Sequence, residues 1–166
     1  MTRLPALLVR ATVLVVAALL MSLWPRWVPG PPDLVLVAIA GSALLRGPWV
    51  GTGMGLAGGW LVDLVPPGAE PLGATALVYA GVGALLGMSR PYVAASPVRL
   101  PVAPLAAVAV ASLSVVAVRG VAAAAGLGAA GLGELWWTWA TTVLLSVVLL
   151  PPLTALERWL AVHRWA

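Results

Sequence analysis

The acidic side chains are the residues of this chain most able to do chemistry, because it has no cysteine and a single histidine, His163. Metal-dependent transfer of a lipid headgroup needs several carboxylates at helical spacing to hold divalent ions. Asp33 and Asp63 lie far apart in the sequence, and Glu70 and Glu134 lie at the edges of apolar runs. These four acids therefore predict no metal site, and the sequence predicts no cofactor.

Two other kinds of catalytic site lack their motifs. Hydrolysis by a serine needs a base beside the nucleophile, and the chain contains no Gly-x-Ser-x-Gly sequence. The glycine-rich segment 51–55 lacks the Lys-Ser/Thr pair of a phosphate-binding loop and lies inside an apolar run. The sequence therefore predicts a protein that is not an enzyme.

The elements that carry these residues are predicted to be membrane helices. The chain has 166 residues, of which 62% are hydrophobic and 8% charged. A membrane-spanning helix takes about 20 apolar residues, so six of them would occupy about 120 and leave only short connections. We predict an all-α integral membrane protein with a single polytopic domain over residues 1–166. The six predicted spans are about 4–24, 33–45, 49–65, 70–88, 102–118 and 135–160.

Prolines and glycines set the boundaries of these spans. The run from residue 33 to 65 would be about 50 Å long as one helix, which is too long for a single crossing. It is expected to break at Arg46-Gly47-Pro48, because Pro48 suits a first helical turn. Residues 120–133 are rich in alanine and glycine, and a loop, a half-helix and an extension of the fifth span all remain open. Pro151-Pro152 predicts a kink if the last helix continues beyond residue 150.

Arginine and tryptophan positions predict the orientation. With both termini in the cytoplasm, seven arginines lie inside and two outside, which satisfies the positive-inside rule. Tryptophan prefers the membrane interface, and its positions agree with this arrangement. The inner arginines are Arg3, Arg10, Arg46, Arg90, Arg99, Arg158 and Arg164, and the outer ones are Arg26 and Arg119. The outer tryptophans are Trp24, Trp27, Trp60, Trp136, Trp137 and Trp139, and the inner ones are Trp49, Trp159 and Trp165.

Small residues dominate one face of the third span. Gly51, Gly55, Gly59 and Asp63 recur every four residues and form one stripe along a helix, beside Gly58. Glycine lets backbones approach closely, and close packing drives helix association in lipid. Two interpretations stay open, which are packing against the fourth span and docking of a partner's helix. The fourth span offers a matching pair of glycines, Gly83 and Gly87.

Several charged residues have simple structural interpretations. Asp33 follows two prolines and is interpreted as the N-cap or first-turn acid of the second span. Asp63 is either a solvated acid at a helix end or a buried tie to another span or a partner. Arg10 is interpreted as a snorkelling side chain and Arg46 as a cytoplasmic turn anchor.

The order of these features resembles a known family. Pro32-Asp33 opens a short span, Arg46-Gly47-Pro48 forms a tight turn, and a glycine-rich helix ends in Gly58-Gly59-Trp60-Leu61-Val62-Asp63-Leu64. Pro71-Leu72-Gly73 then opens the next span, which contains Tyr79. This pattern, in residues 32–87, is similar to the rod shape-determining protein MreD family.

The resemblance implies a non-catalytic component of the bacterial inner membrane that works in cell elongation and peptidoglycan synthesis. Its partners would be the periplasmic scaffold protein MreC, the MreB filament, RodA and a penicillin-binding protein, with no nucleic acid. Self-association is a further open alternative. The family's glycine-and-aspartate helix maps onto 51–63 here, and its turn onto Pro71 and Gly73.

A second class of function remains as an alternative. The substrate-binding membrane subunit of an energy-coupling-factor vitamin transporter has a similar size and span count. Such a subunit needs a pocket with convergent polar groups, and the chain has neither asparagine nor glutamine to supply them. The residues left to line a pocket would be Trp60, Asp63, Tyr79 and Glu134.

Overall fold

A computed structural model gives the structure of residues 4–25, 27, 30–64, 73–94, 102–125 and 131–162. Over this part of the chain the regular structure is entirely helical. The described residues form seven helices, in the order α1 Leu4–Ser22, α2 Leu34–Arg46, α3 Pro48–Leu64, α4 Ala74–Met88, α5 Arg90–Ala94, α6 Val102–Ala124 and α7 Leu132–Val162. Three stretches are long and apolar enough to cross a membrane, namely Leu4–Ser22, Val102–Ala124 and Gly133–Val162.

The short helix α2 lies at the centre of the bundle. Every residue from 34 to 44 is buried, and the helix contacts α1, α3, α4, α6 and α7. Its sequence is apolar on all sides, which is typical of a helix enclosed by protein. Its 13 residues extend for about 20 Å, less than the roughly 30 Å of a hydrocarbon core. Because other helices surround it, α2 does not need to match the thickness of the lipid.

The helices differ from the predicted spans mainly at their ends. The fifth predicted span, 102–118, continues as α6 to Ala124. For residues 120–124, the correct alternative is therefore an extension of the fifth span. The connection after α4 contains the five-residue helix α5. The last helix runs through Pro151 and Pro152 and ends at Val162.

The packing places α3 against α4 over the most extensive interface of the bundle. Both helices also contact α2, so the three form one unit, and α1, α6 and α7 pack around it. The long helices α1, α6 and α7 expose large apolar side chains such as Leu8, Val110 and Leu144 on the outside. That surface suits contact with lipid.

Candidate functional site

The charged side chains buried in the described part of the bundle lie towards the two ends of α2. We name these ends after residues of that helix and its cap, the Arg46 end and the Asp33 end. A buried charge in a membrane bundle is costly unless it is paired, so each group needs a partner from a neighbouring helix.

At the Arg46 end, four side chains from α1, α2 and α7 form an ionic cluster around Glu157. The guanidinium of Arg10 donates from Nε to Glu157 Oε1 at 2.7 Å and from Nη2 to Oε2 at 2.9 Å. Ser42 Oγ donates to Oε1 at 2.9 Å, and Arg46 Nε donates to Oε2 at 3.1 Å. Glu157 is only 4% exposed. We call these four residues the Glu157 cluster, which ties three helices together.

This cluster corrects one interpretation made from the sequence and adds to another. Arg10 does not snorkel to the interface, because its side chain is buried and paired with Glu157 in a bidentate arrangement. Arg46 ends α2 next to the turn, where it was expected. Its guanidinium also donates hydrogen bonds to the side chain and to the backbone carbonyl of Glu157.

Sequence reasoning missed Glu157 itself. The signal was present, since Glu157 is the one acid in the part of the last predicted span that follows Pro152. A carboxylate in such a position needs a basic partner inside the bundle. The identity of that partner depends on how α1 and α7 meet, because Arg10 and Glu157 are 147 positions apart.

At the Asp33 end, a second cluster joins α2, α4 and α6. Asp33 Oδ1 accepts a hydrogen bond from Leu36 N at 3.0 Å, so Asp33 is the N-cap of α2, as predicted. Its Oδ2 accepts a hydrogen bond from the hydroxyl of Tyr79, which in turn accepts one from Arg119 Nη2 at 2.9 Å. Arg119 Nη2 lies 3.8 Å from Asp33 Oδ2, and its side chain remains 33% exposed.

The backbone of the Asp33 cap is also tied to α7. Asp33 N donates to Thr142 Oγ1 at 2.7 Å, and Thr142 Oγ1 donates to Thr138 O at 2.6 Å. Gly30, with φ of +71°, lies against Thr138 and the carbonyl of Glu134, where a Cβ would collide with both. The segment 30–33 therefore packs against the N-terminal turns of α7.

Asp63 connects α3 to the start of α4. Its side chain is 4% exposed, so the solvated alternative is wrong. Oδ2 accepts hydrogen bonds from Gly73 N at 2.9 Å and Ala76 N at 3.4 Å. Asp63 thus caps the N-terminus of α4, because the N-cap residue Gly73 has no side chain that could do so. The other oxygen, Oδ1, is buried and accepts no hydrogen bond from the described residues.

The glycine stripe of α3 lies against α4 in the same chain. A Cβ added at Gly51 would overlap the carbonyl of Gly83, and one added at Gly55 would overlap the carbonyl of Tyr79. At Gly59 the obstacle is the backbone of Ala76. These three glycines therefore allow direct backbone contact between α3 and α4.

The neighbouring glycines complete this packing. Gly83 meets the backbone of Gly51 in return, and Gly87 meets the backbone of Gly47 and Pro48. Gly58 lies to the side, where a Cβ would be 2.7 Å from Val35 Cγ1 on α2. The stripe is thus enclosed by α4 and α2.

The turn residues named from the sequence lie at helix boundaries. Gly47 has φ of +93°, a conformation that favours glycine, and ends α2, while Pro48 is the first residue of α3. Gly73 has φ of +92° and precedes α4. Pro71 lies outside the described residues, as do Glu70, His163 and the arginines Arg3, Arg26, Arg99 and Arg164.

The two ends of the bundle carry opposite charge among the described residues. Four arginines and one carboxylate lie at the Arg46 end, and three carboxylates and one arginine lie at the Asp33 end. The first group is Arg10, Arg46, Arg90, Arg158 and Glu157, and the second is Asp33, Asp63, Glu134 and Arg119. The bundle is therefore electrostatically polar along the axis of α2.

Comparison of the chain with protein-family models, with curated proteins and with solved structures finds no match.

Proposed function

We propose that this chain is a non-catalytic component of the inner-membrane machinery for bacterial cell elongation, of the MreD type, and that it binds MreC. The observation that carries the proposal is that residues of the family-like pattern interlock α2, α3 and α4. Asp33 and Tyr79 pair across α2 and α4, Gly55 packs on α4, and Asp63 caps α4. The pattern thus corresponds to one structural unit.

The chemistry of the buried groups supports a role in holding other proteins. Among the described residues, three carboxylates are buried, and each accepts a hydrogen bond from a neighbouring helix. They are Asp33, Asp63 and Glu157. Paired in this way, they fix the arrangement of the helices and leave an apolar outer surface. Such a surface suits contact with the anchor helix of MreC and with RodA or a penicillin-binding protein.

We further propose six membrane spans with both termini in the cytoplasm. In this topology α1, α2, α3, α4, α6 and α7 cross the membrane, and α5 lies in a cytoplasmic connection. The excess of arginine at the Arg46 end supports placing that end inside, by the positive-inside rule. The protein would then be a multi-pass protein of the bacterial inner membrane.

Co-purification with MreC tests this function. We expect tagged protein, extracted in mild detergent from cells that co-express the MreC of the same genome, to retain MreC in a stable complex. The amount of captured MreC is divided by the amount of folded tagged protein. This is needed because a variant with poorer packing yields less folded protein and therefore also captures less MreC. The Gly55→Leu variant serves as the packing control, and its MreC signal should fall in proportion to its abundance.

Two results would reject the proposal. One is folded protein that retains no MreC above a tag-only control. The other is tight retention of a vitamin by the same preparation, which would favour the transporter alternative.

Of the residues named for that alternative, Tyr79 is fully buried, whereas Trp60 is 57% exposed on the surface of the bundle.

A further inference from the structure

An apolar groove lies between α4 and α6. It has a volume of about 320 Å³. Two serines are its polar side chains, and both hydroxyls are already used, since Ser89 Oγ donates to Leu86 O at 2.7 Å and Ser114 Oγ to Val110 O at 2.9 Å. Leu85 and Val110 line the groove and are also exposed, so it opens sideways onto the outer surface. In a membrane, such an opening faces hydrocarbon.

A basic residue directly follows the lining of this groove in the sequence, at the Arg46 end of the bundle. Arg90 directly follows Ser89, is exposed, and forms no ion pair with the described residues. Its Nη1 is 4.0 Å from the position that a Cβ would take on Gly47, so it lies beside the turn that follows Arg46. Since Arg10 and Arg46 share one carboxylate, the surroundings of Arg90 carry excess positive charge.

We propose that the groove and Arg90 form a binding site for an anionic phospholipid. One acyl chain fills the groove, and the phosphate lies against the guanidinium of Arg90. Guanidinium binds phosphate with paired, charge-assisted hydrogen bonds, and basic sites beside membrane helices select anionic headgroups. Tyr92, 80% exposed on the same short helix, adds an amphipathic ring of the kind found at headgroup level.

The charge beside the groove favours a lipid over a helix of another protein. An anionic headgroup could pair with the exposed Arg90 while its acyl chain lies in the apolar groove. The site does not depend on MreC binding, and its test is separate from the test of the proposed function.

Native mass spectrometry of the purified protein in detergent measures the headgroup preference. We expect 1-palmitoyl-2-oleoyl phosphatidylglycerol to bind more tightly than phosphatidylcholine with the same chains. Arg90→Gln should weaken phosphatidylglycerol binding about fivefold and leave phosphatidylcholine binding unchanged. Arg158→Gln removes the same charge from another exposed position at the Arg46 end and should change neither lipid.

Filling the groove tests the acyl-chain part of the site. Ala107 lines the groove, so Ala107→Phe should reduce retention of both lipids, whereas Leu113→Phe, on the exposed surface of α6 outside the groove, should not. Equal binding of the two lipids, with no effect of Arg90→Gln, would reduce the site to ordinary annular contact and overturn the proposal. Loss of a dimer in Ala107→Phe, with lipid retention unchanged, would assign the groove to a second copy and also overturn it.

Discussion

Glu157 is shared by two arginines, so its removal leaves two positive charges without a partner in the cluster, whereas removal of either arginine leaves one matched ion pair. With Glu157 neutral, the guanidiniums of Arg10 and Arg46 would remain close together at the end of α2 without a counterion from the described residues. Breaking a buried ion pair by removing one partner typically destabilises a protein by about 3–5 kcal/mol, because the remaining charge stays desolvated. The same reasoning predicts that removal of both charges is better tolerated.

We therefore expect Glu157→Gln to lower the melting temperature of the detergent-solubilised protein by about 10 °C. The double variant Arg10→Gln/Glu157→Gln should recover part of this loss, since it leaves one arginine without its carboxylate partner instead of two. Arg158→Gln is the matched control, because Arg158 is the next residue but is exposed. The measurement is the fraction of monodisperse protein left after heating. A Glu157→Gln variant as stable as Arg158→Gln would show that the cluster adds nothing to stability.

At the scale of the helices, the contact between α3 and α4 depends on the absence of side chains. Gly53 and Gly55 illustrate this, since they are two residues apart on the same helix and face opposite ways. A Cβ at Gly55 would overlap the backbone of Tyr79 and Ala80, whereas one at Gly53 would meet no atom within 4 Å. On α4, Gly81 is open and Gly83 faces Gly51.

We expect Gly55→Ala to destabilise the protein by about 1–3 kcal/mol, because a methyl group would push two backbones apart. Gly53→Ala should be neutral or slightly stabilising, since alanine favours helix over glycine. The pair Gly83→Ala and Gly81→Ala should repeat this contrast on α4. Thermal stability of the four purified variants gives the answer. Similar stability in Gly55→Ala and Gly53→Ala would mean that the backbones of α3 and α4 can move apart without loss of stability.

Local sequence signals predicted the helix boundaries better than the contacts between helices. The turn at Gly47-Pro48 and the cap at Asp33 were predictable, because proline and aspartate act on the backbone of their own segment. The end of α6 was not, because the alanine- and glycine-rich stretch has no polar period and no proline to stop the helix.

The side-chain clusters were predictable only in part. Sequence alone indicates that an acid inside an apolar run needs a partner, but not which one, because the partner comes from a distant helix. Tyr79 and Arg119 meet Asp33 only after α4 and α6 pack around α2, at separations of 46 residues for Tyr79–Asp33 and 40 for Arg119–Tyr79. Such pairings depend on tertiary packing.

At the scale of the whole molecule, the opposite charge of the two described ends predicts a preferred direction for the proposed membrane bundle. The arginine-rich Arg46 end is expected to stay in the cytoplasm, and the carboxylate-rich Asp33 end is expected to face outwards. Ala125 follows α6 at the Asp33 end and Tyr92 lies on α5 at the Arg46 end, and both are exposed. These two positions can therefore report the orientation.

Because the chain contains no cysteine, single-cysteine labelling can be used without removing native thiols. We expect Ala125→Cys to react with a membrane-impermeant maleimide in intact spheroplasts, and Tyr92→Cys to react only after permeabilisation. Ala38→Cys, at a buried position of α2, is the control that should react only after denaturation. The reverse pattern would contradict the orientation. Labelling of both exposed positions from one side would contradict a membrane crossing by α6, because Tyr92 and Ala125 lie beyond its opposite ends.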